Sequence, residues 1–167
     1  MTRVFVGVGS NLDKLKSVRY GLKLLQVEFT QLCVSPLYES ESVGFAGDNF
    51  YNLVVAFNTD LSVYALRQRL KEIETKLGRK DNALKFSPRK LDLDLLLYAD
   101  LIDNNINVPR AEILSNAFVL KPLMQLAPLL VHPLLGKNYQ KLWEEYPQEK
   151  QKLWVLDLNL MVNQRSK

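Results

Sequence analysis

Apolar residues alternate with other residues at the start of the chain and then recur at a longer interval. Val4, Val6 and Val8 occupy every second position, which is the period of a β-strand. Further along, apolar residues recur every three or four positions, as on the buried stripe of an amphipathic helix. These residues are Leu15, Val18, Leu22 and Leu25. The chain is therefore predicted to begin with a strand and a helix, and Ser10 or Asn11 is expected to cap that helix.

The same periods return in the middle of the chain. Residues 31–38 and 49–58 are predicted strands, and a second helix follows, capped by Asp60 or Ser62 and ended near Gly78. Its buried stripe is Leu66, Leu70, Ile73 and Leu77. A last strand lies within residues 87–100.

The resulting order is strand, helix, strand, strand, helix, strand, which is the split βαβ or ferredoxin-like arrangement. After it, residues 118–126 and 139–146 are predicted helices, and residues 152–158 a further strand. We therefore predict an α+β fold with a ferredoxin-like βαββαβ core and additional C-terminal helices and strand. A length of 167 residues is that of one domain, so we expect residues 1–167 to form a single one.

The strand within residues 87–100 carries two carboxylates on one face. Its leucines at 91, 93, 95 and 97 are expected on one side, and Asp92, Asp94, Leu96 and Tyr98 on the other. Same-face neighbours lie roughly 6.5 Å apart, so the aspartates repel each other unless a cation lies between them. Mg²⁺ suits such a pair, because it takes one or two carboxylates and leaves positions for water and phosphate oxygens. On pattern alone, an edge strand with two solvated aspartates remains the alternative.

Positive charge is concentrated just before this strand. The net charge is +4, but residues 67–90 hold nine Lys or Arg against three Asp or Glu. Lys85, Arg89 and Lys90 are suited to phosphate oxygens. Because this basic stretch is short and runs into two aspartates, we expect phosphorylated small molecules and no nucleic acid as partners.

The third strand places an amide among apolar groups. Phe50, Asn52, Val54 and Ala56 share one of its faces, and a buried amide needs hydrogen-bond partners. Asn52 could bond a neighbouring loop backbone, or it could meet the edge of a flat heterocycle that stacks on Phe50.

Other features exclude several classes of protein. Cys33, the only cysteine, is expected to be a small buried hydrophobe rather than a nucleophile. His132, the only histidine, is far in sequence from the aspartates, so we do not expect it to be catalytic. No apolar run approaches the roughly 18 residues of a membrane span, so we expect no membrane partner and a cytoplasmic location.

These motifs together resemble the 6-hydroxymethyl-7,8-dihydropterin pyrophosphokinase family over nearly the whole chain. The resemblance lies in Gly9-Ser10-Asn11-Leu12, Phe50-Tyr51-Asn52, Gly78-Arg79, Pro88-Arg89, Leu91-Asp92-Leu93-Asp94, Val108-Pro109 and the Phe118 segment. It implies transfer of the β,γ-pyrophosphoryl group of ATP to the pterin's hydroxymethyl oxygen, with release of AMP and participation of two Mg²⁺ ions. We expect the protein to be a monomer.

The resemblance also assigns roles to residues. Asp92 and Asp94 match the metal aspartates, and Arg79 and Arg89 match arginines on the phosphate side. The pterin positions are Ser40, Val43, Phe50, Asn52 and Phe118, with the two rings enclosing the pterin. The nucleotide positions are Glu74 and Leu95, together with Arg79 and Arg89.

The chain departs from the family pattern mainly on the nucleotide side. Arg110, Ala111 and Asn116 stand where the family typically has His, Tyr and Arg, and Arg110 is proposed to replace the lost phosphate contact. Asp81 replaces a second loop arginine. A pterin- or nucleotide-binding paralogue without catalysis or with altered specificity is therefore the alternative function. A two-metal nucleotidyltransferase is a weaker one, because about eighty residues separate the Gly9-Ser10 turn from Asp92.

Overall fold

The computed structural model describes residues 1–42, 47–77 and 91–160. Within these ranges the strands are β1 (Thr2–Ser10), β2 (Thr30–Val34), β3 (Leu37–Ser40), β4 (Phe50–Thr59), β5 (Asp92–Tyr98) and β6 (Leu153–Leu156). The helices are α1 (Lys14–Glu28), α2 (Val63–Lys76), α3 (Glu112–Ser115), α4 (Ala117–Leu126) and α5 (Tyr139–Glu145). Short 3₁₀ turns cover Asn104–Ile106 and Gln148–Lys150. No helix in the described part of the chain has the length and apolar character that crossing a membrane requires.

The strands form one antiparallel sheet in the order β5-β1-β4-β3-β6, and β2 also pairs with β4. The first and last core strands, β1 and β5, are neighbours, and β4 lies on the other side of β1. This is the order of the split βαβ arrangement. The α+β, ferredoxin-like fold predicted from the sequence is confirmed, and the C-terminal helices and strand extend it.

Each face of the sheet is covered by its own hydrophobic cluster. On one face, Val6 and Val8 pack with Leu22 of α1 and Leu70 of α2. On the other, Phe5, Val54 and Ala56 pack with α4 and α5, through Leu120 and Leu142 among others. The face that carries Asp92, Asp94 and Asn52 is this second face, so these three side chains lie on the side of the sheet that α4 covers.

The predicted strand over residues 31–38 is two strands. The sequence Ser35-Pro36 separates β2 from β3, because proline has no N–H to donate to the sheet. Ser35 holds this break against β4: its N–H donates to the carbonyl oxygen of Val54 at 2.9 Å, and its Oγ accepts from the Val54 N–H at 2.9 Å.

The predicted faces of β5 are correct as far as Leu96 and wrong beyond it. Phe5 pairs with Leu97 and Val6 pairs with Leu95, which leaves Leu96 as an extra residue in a β-bulge. Leu97 consequently joins Leu96 in the cluster beneath α4, and Tyr98 turns toward the other cluster. The two aspartates precede the bulge, so their shared face is preserved.

Two further expectations need correction. Helix α1 begins after Asp13, which has a left-handed conformation (φ 49°) and makes no side-chain cap, while the Oγ of Ser10 donates to the Leu12 carbonyl oxygen. Cys33 is exposed, because the neighbours Leu32 and Val34 take the inward positions of β2. The Ser62 cap of α2 is confirmed: its Oγ accepts from the N–H of Ala65 at 3.2 Å.

Candidate active site

The two aspartates of β5 face glycines on the adjacent strand. Asp92 pairs with Gly9 and Asp94 pairs with Gly7, so no side chain of β1 stands next to either carboxylate. Both aspartates are half-buried. Because the two glycines lack a Cβ, other side chains approach β1 here: Leu96 lies 3.5 Å from the ideal Cβ position of Gly7, and Asn52 lies 3.0 Å from that of Gly9.

A row of paired residues joins the carboxylates to the amide. Gly9 pairs with Asp92 on one side and with Asn52 on the other, so Asn52 and Asp92 are two strands, or about 10 Å, apart. An ideal Cβ placed on Gly9 would lie 3.0 Å from the Asn52 Oδ1 atom. The glycine therefore allows the amide oxygen to lie close over β1.

The amide has a side-chain partner. Asn52 is buried, and its Nδ2 donates to the Oγ of Ser40, which is also buried, at 3.0 Å. The sequence did not decide which group bonds the Asn52 amide. One partner is a hydroxyl on β3 rather than a loop backbone. Ser40 and Asn52, both assigned to the pterin by resemblance, are in direct contact.

The two aromatic rings lie on the same side of the sheet as this pair. Phe50 begins β4 and pairs with Ser40, and it shares the face of Asn52. Phe118 is in the first turn of α4, which packs on β4 and β3. Both phenylalanines are half-buried and keep part of their surface accessible. Val43 lies outside the described residues.

A cavity of about 450 Å³ lies next to Asp94, between α2, β5 and the segment that precedes α3. Glu74, Leu95 and Arg110, the described residues assigned to the nucleotide, all line this cavity. The structure thus places these three residues around the same cavity as Asp94, one of the two aspartates assigned to the metal. Arg79 and Arg89, the other residues assigned to the phosphates, lie outside the described residues.

The cavity also has walls that the sequence reasoning did not identify. They are formed by Tyr64, Arg67, Gln68, Leu70, Lys71, Thr75, Leu93 and Ile106. The sequence contained one usable signal: Arg67, Lys71 and Glu74 are separated by four and three positions on α2, so they share one flank of the helix.

Glu74 lines the cavity and also forms a hydrogen bond with the backbone of β5. It is 5% exposed, and its Oε1 accepts from the backbone N–H of Leu93 at 2.7 Å. Leu93 stands between the two aspartates on β5, which is an edge strand of the sheet formed by the described residues, so no strand among them pairs with its outward N–H groups. The carboxylate therefore fixes the backbone between the two proposed metal ligands.

Arg110 forms ion pairs with two carboxylates. Its Nη2 lies 3.6 Å from the Asp94 Oδ1 and 3.3 Å from the Glu112 Oε1. The other oxygen of Glu112 accepts from the Asn107 Nδ2 at 3.3 Å. The backbone N–H of Arg110 donates to the Leu96 carbonyl oxygen at 3.0 Å, which attaches the segment to β5.

The residues present fit a magnesium–triphosphate site. Within residues 1–42, 47–77 and 91–160 no group of three or more Asp, Glu, His or Cys side chains is placed to hold a metal. Asp92 and Asp94 would thus supply carboxylate oxygens only, and the other positions of Mg²⁺ would go to water and phosphate, as this ion prefers. The cavity beside Asp94 is the space available for such ligands.

Comparison with known proteins shows which family the chain resembles. The family model described as 7,8-dihydro-6-hydroxymethylpterin-pyrophosphokinase (HPPK) matches residues 5–128. A 2-amino-4-hydroxy-6-hydroxymethyldihydropteridine pyrophosphokinase of Pseudomonas aeruginosa is 39% identical over 137 residues, covering 78% of this chain and 84% of that protein. The protein of the same name from Aquifex aeolicus is 32% identical over 142 residues, covering 82% of this chain and 88% of that protein.

Some relatives are much longer. The folic acid synthesis protein fol1 of Schizosaccharomyces pombe is 33% identical over 151 residues, which are 87% of this chain but 20% of that protein. Among solved structures, a Plasmodium falciparum HPPK-DHPS triple mutant superposes with a TM-score of 0.67 at 14% identity, covering 87% of this chain and 41% of that one. This likeness concerns the fold. From the match of the family model and the bacterial relatives, the chain belongs to the 7,8-dihydro-6-hydroxymethylpterin-pyrophosphokinase family.

Proposed function

We propose that this protein transfers the β,γ-pyrophosphoryl group of ATP to the hydroxymethyl oxygen of 6-hydroxymethyl-7,8-dihydropterin, releasing AMP. The observation that carries the proposal is the row Asp92, Gly9, Asn52 across three adjacent strands. It places a carboxylate pair suited to metal-bound phosphates about 10 Å from an amide suited to the edge of a pterin. The names of the bacterial relatives support the same reaction.

Asn52 and Ser40 are proposed to read the edge of the pterin. In their observed contact the amide Nδ2 donates to the serine, so the Asn52 Oδ1 remains directed toward Gly9 and can accept from a ring N–H. Phe50 and Phe118 are proposed to stack on the two faces of the ring, and Val43 to complete the site. The hydroxymethyl group would then point along the row toward Asp92.

The nucleotide is proposed to occupy the cavity beside Asp94. Glu74, Leu95 and Arg110 line it, and Arg79 and Arg89 are proposed to neutralise the phosphates. Two Mg²⁺ ions held by Asp92 and Asp94 would offset the charge that develops on the transferred group. The protein's own contribution is mainly to position the two substrates and to present cations to the phosphates, which can supply most of the rate of a phosphoryl transfer.

The test is to incubate the purified protein with ATP, Mg²⁺ and the hydroxymethyl pterin and to separate the nucleotide products. We expect AMP and the pterin diphosphate, and we expect Asp92→Asn and Asp94→Asn each to reduce turnover by at least about 10²-fold, because the metal ligands are lost. Asp100→Asn, at an exposed aspartate just after β5, is the matched control and should retain activity.

Three results would contradict the proposal. Pyrophosphate release from ATP would indicate a nucleotidyltransferase. Thermal stabilisation by both ligands without AMP would indicate a non-catalytic binding protein. Near-normal Mg²⁺-dependent activity in both aspartate variants would reject the assigned metal ligands. A cytoplasmic location and a monomeric state stay predictions from the sequence.

A further inference from the structure

The cation of Arg110 lies beside Asp94, one of the two proposed metal ligands. The Arg110 Nη2 is 3.6 Å from the Asp94 Oδ1, and the two residues line the same cavity. A guanidinium and a divalent cation cannot both occupy the same side of one carboxylate oxygen without repulsion. Binding of a metal to this side of the Asp94 Oδ1 therefore requires Arg110 to withdraw.

Arg110 has a second anion to which it can withdraw. Its Nη2 lies 3.3 Å from Glu112, closer than it lies to Asp94. Glu112 is held in turn by the amide of Asn107, and Asn107 also accepts from the N–H of Ala111 through its Oδ1 at 3.0 Å. Glu112 is therefore a second carboxylate within reach of the same guanidinium nitrogen, and Asn107 helps to hold it in place.

The backbone of Arg110 is fixed independently of its side chain. Its N–H donates to the Leu96 carbonyl oxygen on β5. The guanidinium can therefore change partners by side-chain rotation while the segment stays attached to the strand that carries Asp94. Substitution of the side chain leaves this backbone contact in place.

We propose that Arg110 is an exchangeable counter-ion of Asp94: it neutralises the aspartate in the nucleotide-free protein, and it is displaced toward Glu112 and the nucleotide phosphates when the metal arrives with the nucleotide. Arg110 is thus a positioning residue that couples metal binding to nucleotide binding, and Glu112 is its alternative anchor. This inference rests on the proposed function, because it assumes a metal-bound nucleotide at Asp94.

The proposal predicts effects of opposite sign on two ligands. In Arg110→Gln, Mn²⁺ binding to the nucleotide-free protein, measured by electron paramagnetic resonance, should become about two- to five-fold tighter, the range for losing a partly exposed ion pair. Binding of a non-hydrolysable ATP analogue with Mg²⁺ should instead become weaker, because a phosphate contact is lost. Arg110→Lys keeps the charge and should stay closer to the wild type in both measurements.

Two controls show whether the effect belongs to this ion pair. Asp94→Asn should remove the Mn²⁺ site that Arg110→Gln strengthens. Arg67→Gln removes a cation from the same cavity but on α2, seven residues or about 10 Å of helix before Glu74, and should change Mn²⁺ binding much less. Equal tightening in the Arg67 and Arg110 variants would indicate only a general effect of cavity charge and would overturn the proposal.

The role of Glu112 is tested by a double-mutant cycle. Glu112→Gln should weaken Mn²⁺ binding, because Arg110 then remains on Asp94, and this effect should be much smaller in the Arg110→Gln background. The same loss in both backgrounds would mean that Glu112 acts on the metal directly and would overturn its role as the anchor.

Unchanged Mn²⁺ binding in Arg110→Gln, including no detectable binding by either protein, would overturn the counter-ion role. These measurements need no turnover. Their failure is therefore distinguishable from failure of the proposed function, which is judged from AMP formation by the wild type.

Discussion

The Glu74 carboxylate accepts a 2.7 Å hydrogen bond from the backbone N–H of Leu93, the residue that separates Asp92 from Asp94. Glu74 is buried on α2, whereas Leu93 is buried in the edge strand β5. The contact therefore ties the helix that lines the nucleotide cavity to the strand that carries the proposed metal ligands. The spacing of the two aspartates depends on this backbone.

This contact predicts different results for two variants of Glu74. Glu74→Ala leaves a buried N–H without this acceptor and should lower the free energy of unfolding by about 1–3 kcal/mol. Glu74→Gln keeps an oxygen that can accept, so its loss should be smaller, although a charge-assisted bond becomes a neutral one. Urea unfolding of the three proteins measures the difference. Equal losses in both variants would show that the hydrogen bond to Leu93 is not what Glu74 contributes.

A methyl group on Gly9 is predicted to affect the pterin side of the site. Its Cβ would lie 3.0 Å from the Asn52 Oδ1, closer than ordinary contact, so the amide must move and its hydrogen bond to Ser40 is disturbed. We expect Gly9→Ala to raise the KM for the pterin several-fold, equivalent to about 1 kcal/mol, with little change in the KM for ATP.

Gly7→Ala is the matched control for this experiment. It adds the same methyl group to the same face of β1, two residues away, where the nearest atom is a Leu96 side-chain carbon at 3.5 Å. That is ordinary van der Waals contact, so the pterin KM should change much less. Equal increases in the two variants would refute the link between Gly9 and the Asn52 amide.

Phe118 is predicted to contribute stacking to the pterin and nothing directly to the nucleotide. Phe118→Leu keeps an apolar side chain on α4, so the helix should stay packed on β4. Loss of an aromatic stacking contact is worth about 0.5–1.5 kcal/mol, which corresponds to roughly 2- to 10-fold weaker pterin binding. Calorimetric titration with the pterin and with a non-hydrolysable ATP analogue compares the two ligands. Similar losses for both would contradict the assignment of Phe118 to the pterin.

The sequence predicted the core topology and the shared face of the aspartates because both follow from local periodicity. Alternation along β5 holds as far as Leu96, and the aspartates fall within that part. The prediction for Leu97 failed because the bulge depends on how Phe5 and Val6 of another strand pair with β5. The pattern of apolar residues within residues 91–98 cannot predict how the two strands pair.

The ion pairs of the site could not be predicted from the sequence for the same reason. Arg110 and Glu112 are two positions apart, which in a regular helix would separate their side chains. Here Arg110 precedes α3, and its backbone bond to Leu96 turns its side chain toward both Glu112 and Asp94. The resemblance identified Arg110 as a residue of the site, but only the structure shows which side chains it contacts.

The described contacts of His132 are not with residues of the candidate site. Its protonation is predicted to lower the stability of the protein at acidic pH. It is buried, and its Nδ1 accepts from the backbone N–H groups of Leu134 at 3.1 Å and Leu135 at 3.3 Å. Burial lowers the pKa of the imidazole below its ordinary value of 6.5. A proton on Nδ1 would also break both hydrogen bonds, so the folded protein favours the neutral ring.

The sign of the pH effect follows from this lowered pKa. Above about pH 6.5 the ring is neutral in both the folded and the unfolded chain, and its full contribution to stability is present. As the pH falls below that value the unfolded chain binds a proton that the folded chain excludes, so stability is lost until the pH has passed the lowered folded pKa. The loss can reach about 1.4 kcal/mol for each pH unit between the two pKa values.

His132→Asn should remove this part of the pH dependence, because an asparagine Oδ1 can accept from the same two N–H groups but does not titrate. The measurement is the free energy of unfolding in urea at about pH 7.5 and about pH 5.5, for the wild type and the variant. The carboxylates titrate in both proteins, so their contribution cancels in the comparison. We expect the wild type to lose more stability than the variant between the two pH values, whatever their relative stability at the higher one. The same loss in both proteins would mean that the protonation of His132 does not differ between the folded and unfolded states in this range.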